Sequence, residues 1–275
     1  MCDEALREYA LSVERDPARH RTTIVLDDAE RRNTIPFPAR AVLARLFAAL
    51  SDDRQTRVVV IRGAGTDAFS AGGNIAQFME ADPEELADLA WNVGAPERCA
   101  KPVIAQLQGF TFGVGLELAL ACDFRVAATT TVVALPEIKL GMIPGSGGSQ
   151  RVAAIAGLGR AKDMAMRGRR IPALEAHAWG LLTSVHSPAE LDQAVADLVA
   201  ELAARPQRRF GRSSACSTVR TMRHCTLQWT SKVVSTRGCA RRPTSPRAYE
   251  HSAKSDRRTS QASMSPRPLE ATNRT

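Results

Sequence analysis

Three times within its first 150 residues the chain runs through a glycine-containing turn that follows a short β-forming stretch or opens a helix. The turns are Ala68-Phe69-Ser70-Ala71-Gly72-Gly73-Asn74-Ile75, then Gly109-Phe110-Thr111-Phe112-Gly113-Val114-Gly115-Leu116-Glu117, then residues 141–148, which open a helix through Ala156. The stretches TTIVL at 22–26 and RVVVIR at 57–62 read as β-branched strands, and residues 38–50 between them carry apolar side chains at helical spacing. Further strands are expected at 103–108, 124–128 and 131–135. Helices are expected at 83–99, 114–122, 160–167, 173–179 and 188–204. Strands interleaved with helices indicate an α/β domain.

The pattern stops at Arg205-Pro206. Residues 1–206 hold 22 basic and 26 acidic side chains, net −4, whereas residues 207–275 hold 15 and 3, net +12. The formal charge of +8 is therefore the sum of two unlike compositions. Residues 207–275 contain 13 Arg, 20 Ser or Thr, two Leu and no Ile, too little apolar surface to offset the entropy of ordering. The expected organisation is a folded domain over 1–206 followed by a basic, disordered or poorly packed tail over 207–275. An out-of-frame reading of a GC-rich gene accounts for that tail's composition, and the coding DNA in its other frames tests this. Collagen-like, wholly disordered and disulfide-framework classes are excluded for the first 206 residues.

The N-terminus mixes acids and bases where a secretory signal needs a basic start and an apolar run, so a cytoplasmic location is expected. The longest apolar stretch, around 114–122, is interrupted by Glu117 and too short to span a bilayer. Six Cys form no C-x-x-C pair, which supports neither a zinc site nor a disulfide scaffold. No metal ligand set is expected.

The turns and two carboxylates carry the chemistry. Small residues at Gly72-Gly73 and Gly113 let the backbone approach a ligand closely, and a helix start aims free N–H groups outward. Two such donors facing one oxygen would make an oxyanion hole. Glu117 lies one turn inside an apolar helix, where an unpaired carboxylate is costly to bury. Glu137 follows Pro136, just before the third glycine loop. Two carboxylates in apolar surroundings can be tuned to different protonation states, which suits paired acid/base work. A glutamate near a helix start can equally serve only to cap its neighbours.

In this order and spacing, FSAGGNI, GFTFGVGLELALACD and LPEIKLGMIPGSGGSQR resemble the enoyl-CoA hydratase/isomerase (crotonase) superfamily, over about residues 8–205. The pattern is most similar to the enoyl-CoA hydratases, because both acidic positions are filled. The resemblance implies an α/β fold with a crotonase (ClpP-like) β-β-α superhelix core. It also implies a C-terminal helical trimerisation region, which the basic tail replaces here. Gly73 matches the family position whose backbone N–H forms one half of the oxyanion hole, and Val114 matches the other, usually a glycine. Glu117 and Glu137 match the two catalytic glutamates. Ala71, Asn74 and Ile75 fall in the segment lining the acyl-CoA site, with Asn74 where hydratases often carry Asp. Arg32 and Thr34 belong to the loop lining the coenzyme A groove, where a guanidinium could meet a phosphate or stay solvated.

The implied reaction is syn addition of water to a trans-2-enoyl-CoA. Glu117 would activate water at C3 and Glu137 would exchange the proton at C2. No cofactor is implied, since coenzyme A enters with the acyl-CoA thioester substrate. A homotrimer or dimer of trimers is the family's assembly. An isomerase or another acyl-CoA lyase of the same fold is the alternative, and nucleic-acid binding through the basic tail is a second. Gly113-Val114-Gly115 lacks the third glycine of a dinucleotide fingerprint, and 141–148 lacks the Lys-Ser/Thr of a P-loop. The five His show no ligand spacing, and the serines of these loops have no His-Asp partner pattern.

Overall fold

The computed structural model describes residues 3–74 and 83–205, all within one contact unit, Met1–Met222. The basic segment expected at 207–275 and the site residue Ile75 lie outside the described residues.

Among the described residues ten strands form two sheets. The larger holds β1 (Leu11–Asp16), β2 (Arg21–Leu26), β3 (Val58–Gly63), β5 (Val103–Leu107), β7 (Phe124–Ala128) and β10 (Ser184–His186), in that spatial order. The smaller holds β4 (Ala68–Ser70), β6 (Phe110–Phe112), β8 (Val132–Ala134) and β9 (Ile171–Pro172). Apart from the β1–β2 hairpin and the β8–β9 pair, neighbouring strands run parallel. Strand β1 is not among the expected elements. Its sequence LSVERD mixes charge with apolar residues, which suits an edge strand paired on one side only.

The helices are α1 (Asp3–Arg7), α2 (Phe37–Asp52), α3 (Pro83–Val93), α4 (Ala95–Arg98), α5 (Val114–Ala121), α6 (Gly148–Ala156), α7 (Leu158–Arg167), α8 (Ala173–Ala178) and α9 (Leu191–Ala203). The single helix expected over 83–99 is two. Pro96 has no N–H for the carbonyl of Asn92 and its ring crowds that turn, so the helix cannot run through. Among the described residues no helix is long and apolar enough to cross a membrane.

The period-two side-chain alternation of β3 divides the core. Val58 and Val60 pack with Leu191, Val195, Val199 and Leu202, the apolar stripe of α9. Val59 and Ile61 point the other way, into the larger cluster that includes Val42, Leu43 and Phe47 of α2. Each such side chain contributes roughly 1.5–3 kcal/mol of burial. The main sheet is thereby covered on both faces, as a parallel sheet requires.

From β3 to β8 the chain alternates between the sheets, with β3, β5 and β7 entering the large one and β4, β6 and β8 the small one. Each pair of strands is followed by a helical segment, so every β-β-α turn advances the chain by one strand. This is the β-β-α superhelix that the family resemblance implies. Its consequence is a register: Ala68 pairs with Phe110 and Phe110 with Val132, while Phe112 pairs with Ala134. The carboxyl ends of β4, β6 and β8 therefore lie side by side.

Candidate active site

The site lies just beyond those three strand ends. After β4 comes Ala71-Gly72-Gly73-Asn74, after β6 comes Gly113-Val114, and after β8 comes Leu135-Pro136-Glu137. Gly73 forms a parallel bridge with Ile35, whose N–H donates to the Gly72 carbonyl at 2.8 Å. The Ala71 N–H donates to the Arg32 carbonyl at 2.9 Å, which fixes the 32–34 loop beside the glycines. Gly113 sits at φ 52, ψ −126, open only to glycine. That bend lets its N–H donate to the Ala134 carbonyl at 3.0 Å and starts α5 at Val114. Val114 is the first helical residue, where backbone N–H groups have no partner inside the helix. A Cβ placed on Gly73 would lie 3.6 Å from Val114 Cγ1, so the two donor positions are neighbours.

Helix α5 is buried along its whole length, and Glu117 within it is 2 % exposed. Its Oε1 accepts the N–H of Ser146 at 2.8 Å and of Gly148 at 2.9 Å, the loop and first residue at the start of α6. A side chain at 148 is excluded, because its Cβ would lie 2.8 Å from Glu117 Cγ and 2.9 Å from Leu135 Cδ2. Arg151 braces the loop. Its Nη1 donates to the Ser146 carbonyl at 2.8 Å, and its Nε pairs with Glu97 Oε1 at 2.5 Å, with both side chains largely buried.

Glu137 opens a 3-10 turn, Glu137–Leu140. Its Oε1 would be 3.0 Å from a Cβ on Gly113, and its Oε2 is buried without a hydrogen-bond partner among the described residues. Burial pushes both carboxyl groups up. For Glu117 the two backbone N–H groups and then the charges of Arg151 and Arg40 oppose it. Glu137 reaches about 7, raised further by the charge of Glu117. The anion is better placed on Glu117, which has two donors, and the proton on Glu137, whose Oε2 has none.

Arg40 joins the site without being singled out by the sequence motifs. It lies in α2 and is 4 % exposed, with its guanidinium 4.3 Å from the Phe37 ring centroid. Its Nη2 is 2.6 Å from the Cβ position of Gly73. Burial lowers it to about 10, against the charge of Glu117. A signal exists, since residues 40, 43, 47 and 50 form one helical stripe and the other three are Leu43, Phe47 and Leu50.

Arg40, Gly73, Val114, Glu117 and Glu137 line one cavity of about 130 Å³, as do Ala71 and Asn74. Arg32 and Thr34 are not in its lining. Arg32 is exposed, with its guanidinium 5.3 Å from the Phe110 ring centroid, and Thr34 Oγ1 donates to the Arg31 carbonyl at 2.7 Å.

A family model described as enoyl-CoA hydratase/isomerase matches residues 22–225. The carnitinyl-CoA dehydratase of Escherichia coli strain K12 is 39 % identical over 178 residues, 64 % of this chain and 68 % of that protein. The crystal structure of an enoyl-CoA hydratase from Mycobacterium avium subsp. paratuberculosis K-10 superposes with a TM-score of 0.72 at 31 % identity, covering 80 % of this chain and 89 % of its own. A relative from Thermobifida fusca YX, solved in complex with CoA, gives a TM-score of 0.72 at 26 % identity over 86 % and 98 % of the two chains. Two sheets wound by β-β-α turns are thus the crotonase fold of solved enoyl-CoA hydratases. The chain belongs to the enoyl-CoA hydratase/isomerase family.

Proposed function

We propose that this chain is an enoyl-CoA hydratase, adding water syn across the 2,3 double bond of a trans-2-enoyl-CoA. The observation that carries the reading is the pair of buried glutamates in one cavity, Glu117 held by two N–H donors and Glu137 with a carboxyl oxygen that has no partner among the described residues. A dehydratase among the relatives and a CoA complex among the structural neighbours support it.

In this mechanism the thioester oxygen accepts the N–H groups of Gly73 and Val114, which stabilise the enolate-like charge as it develops. Water lies between the two carboxyl groups. Its oxygen bonds to C3 as Glu117 takes one of its protons, and Glu137 delivers its own proton to C2. Resetting the pair returns one proton from Glu117 to Glu137. Ala71 and Asn74 border the acyl group, and Arg32 and Thr34 present the adjacent loop to the coenzyme A moiety.

Glu117→Gln and Glu137→Gln should each reduce crotonyl-CoA hydration by roughly 10²–10⁴-fold while leaving the circular dichroism unchanged. Undiminished turnover in either variant would refute the paired assignment.

A further inference from the structure

In the reaction just described Arg40 touches none of the reacting atoms, and its charge only favours the Glu117 anion. A guanidinium keeps its charge even here, and burying a charge without a counter-ion is costly. Among the described residues its Nε has no hydrogen-bond partner and no carboxylate forms an ion pair with it. Glu117, the charge it feels most, already spends Oε1 on two backbone donors. The Phe37 ring covers one face of the guanidinium, and the group lines the same cavity as Glu117 and Glu137. Gly73 makes room for it, because a methyl group there would meet Nη2 at 2.6 Å. Among the described residues the cavity thus holds a buried cation whose Nε has no partner and which no carboxylate meets at ion-pair distance.

Resting on the acyl-CoA reading above, we propose that Arg40 is the anion subsite of the acyl pocket and that the substrate is a short enoyl-CoA whose acyl chain carries a carboxylate. A planar guanidinium is suited to a carboxylate, with two parallel N–H bonds. The cavity of about 130 Å³ is close to the volume that admits benzene, so it suits an acyl group of about five carbons. The same cation repels a positively charged acyl group, which separates this chain from a relative acting on carnitinyl-CoA.

The test uses the full chain and three thioesters on the crotonyl scaffold, bearing hydrogen, carboxylate or trimethylammonium at C4. The carboxylate compound should have the highest kcat/KM, about 10- to 100-fold above crotonyl-CoA, and the trimethylammonium compound the lowest. Calorimetry with the unreactive glutaryl-CoA and butyryl-CoA should show the same gap in Kd. Arg40→Met should erase the gap and Arg40→Lys should keep part of it. Binding of glutaryl- and butyryl-CoA within about twofold, or a gap that survives in Arg40→Met, would overturn the proposal. Crotonyl-CoA hydration without a charge preference refutes the subsite alone. Tighter glutaryl-CoA binding without hydration of any thioester refutes the hydratase reading and leaves the subsite standing.

Discussion

Glu117 and Glu137 bring the same functional group to one cavity with different surroundings, and the difference assigns the proton. With Glu137 raised to about 7 and Glu117 bearing the anion, the working enzyme holds one proton on the pair. Raising the pH through about 7 removes that proton, so kcat/KM for hydration should fall above this pH. Hydration consumes no net proton, so dehydration of the 3-hydroxyacyl-CoA should show the same profile, and initial rates in both directions check it. Glu137→Gln should abolish this limb. The space at Gly148 is as demanding as the charge. Gly148→Ala forces a Cβ against Glu117 Cγ and Leu135 Cδ2. A cost of about 1–3 kcal/mol in chemical denaturation is expected, together with reduced kcat.

At the scale of elements, the start of α6 serves Glu117 as a donor pair, and Arg151 holds it there by bridging Glu97 and the Ser146 carbonyl. Removing the guanidinium strands the carboxylate of Glu97. Arg151→Met should therefore cost up to roughly 3–5 kcal/mol in denaturant melts. It should also raise the acid limb of the kcat/KM profile, because Glu117 loses a cation that favours its charged form. An unmoved pH profile would make Arg151 structural only. The elements themselves are mostly legible in the sequence. β-branched runs identify β2 and β3, and ordered glycine motifs bring Gly73, Val114, Glu117 and Glu137 forward. Edge strand β1 escapes because charge breaks its alternation, and the α3–α4 break is hidden because the apolar spacing continues past Pro96. Arg40 escapes because an arginine on a helix ordinarily reads as solvated, and only tertiary packing buries it.

At the scale of the molecule, parallel register does the assembling. Residues 73, 114 and 137 are far apart in the chain, yet each follows a strand of the small sheet, and the pairing of β4, β6 and β8 sets them at one edge. That pairing is non-local, so no short segment reveals it. The winding brings two backbone donor positions and two carboxyl groups around one cavity, the arrangement proposed to add water to an enoyl thioester. The direct measurement is mass spectrometry of the full chain's product from crotonyl-CoA in water enriched in heavy oxygen. The expected product is 3-hydroxybutyryl-CoA carrying one labelled oxygen at C3. An unlabelled positional isomer, or no conversion by the intact chain, would contradict the hydratase reading.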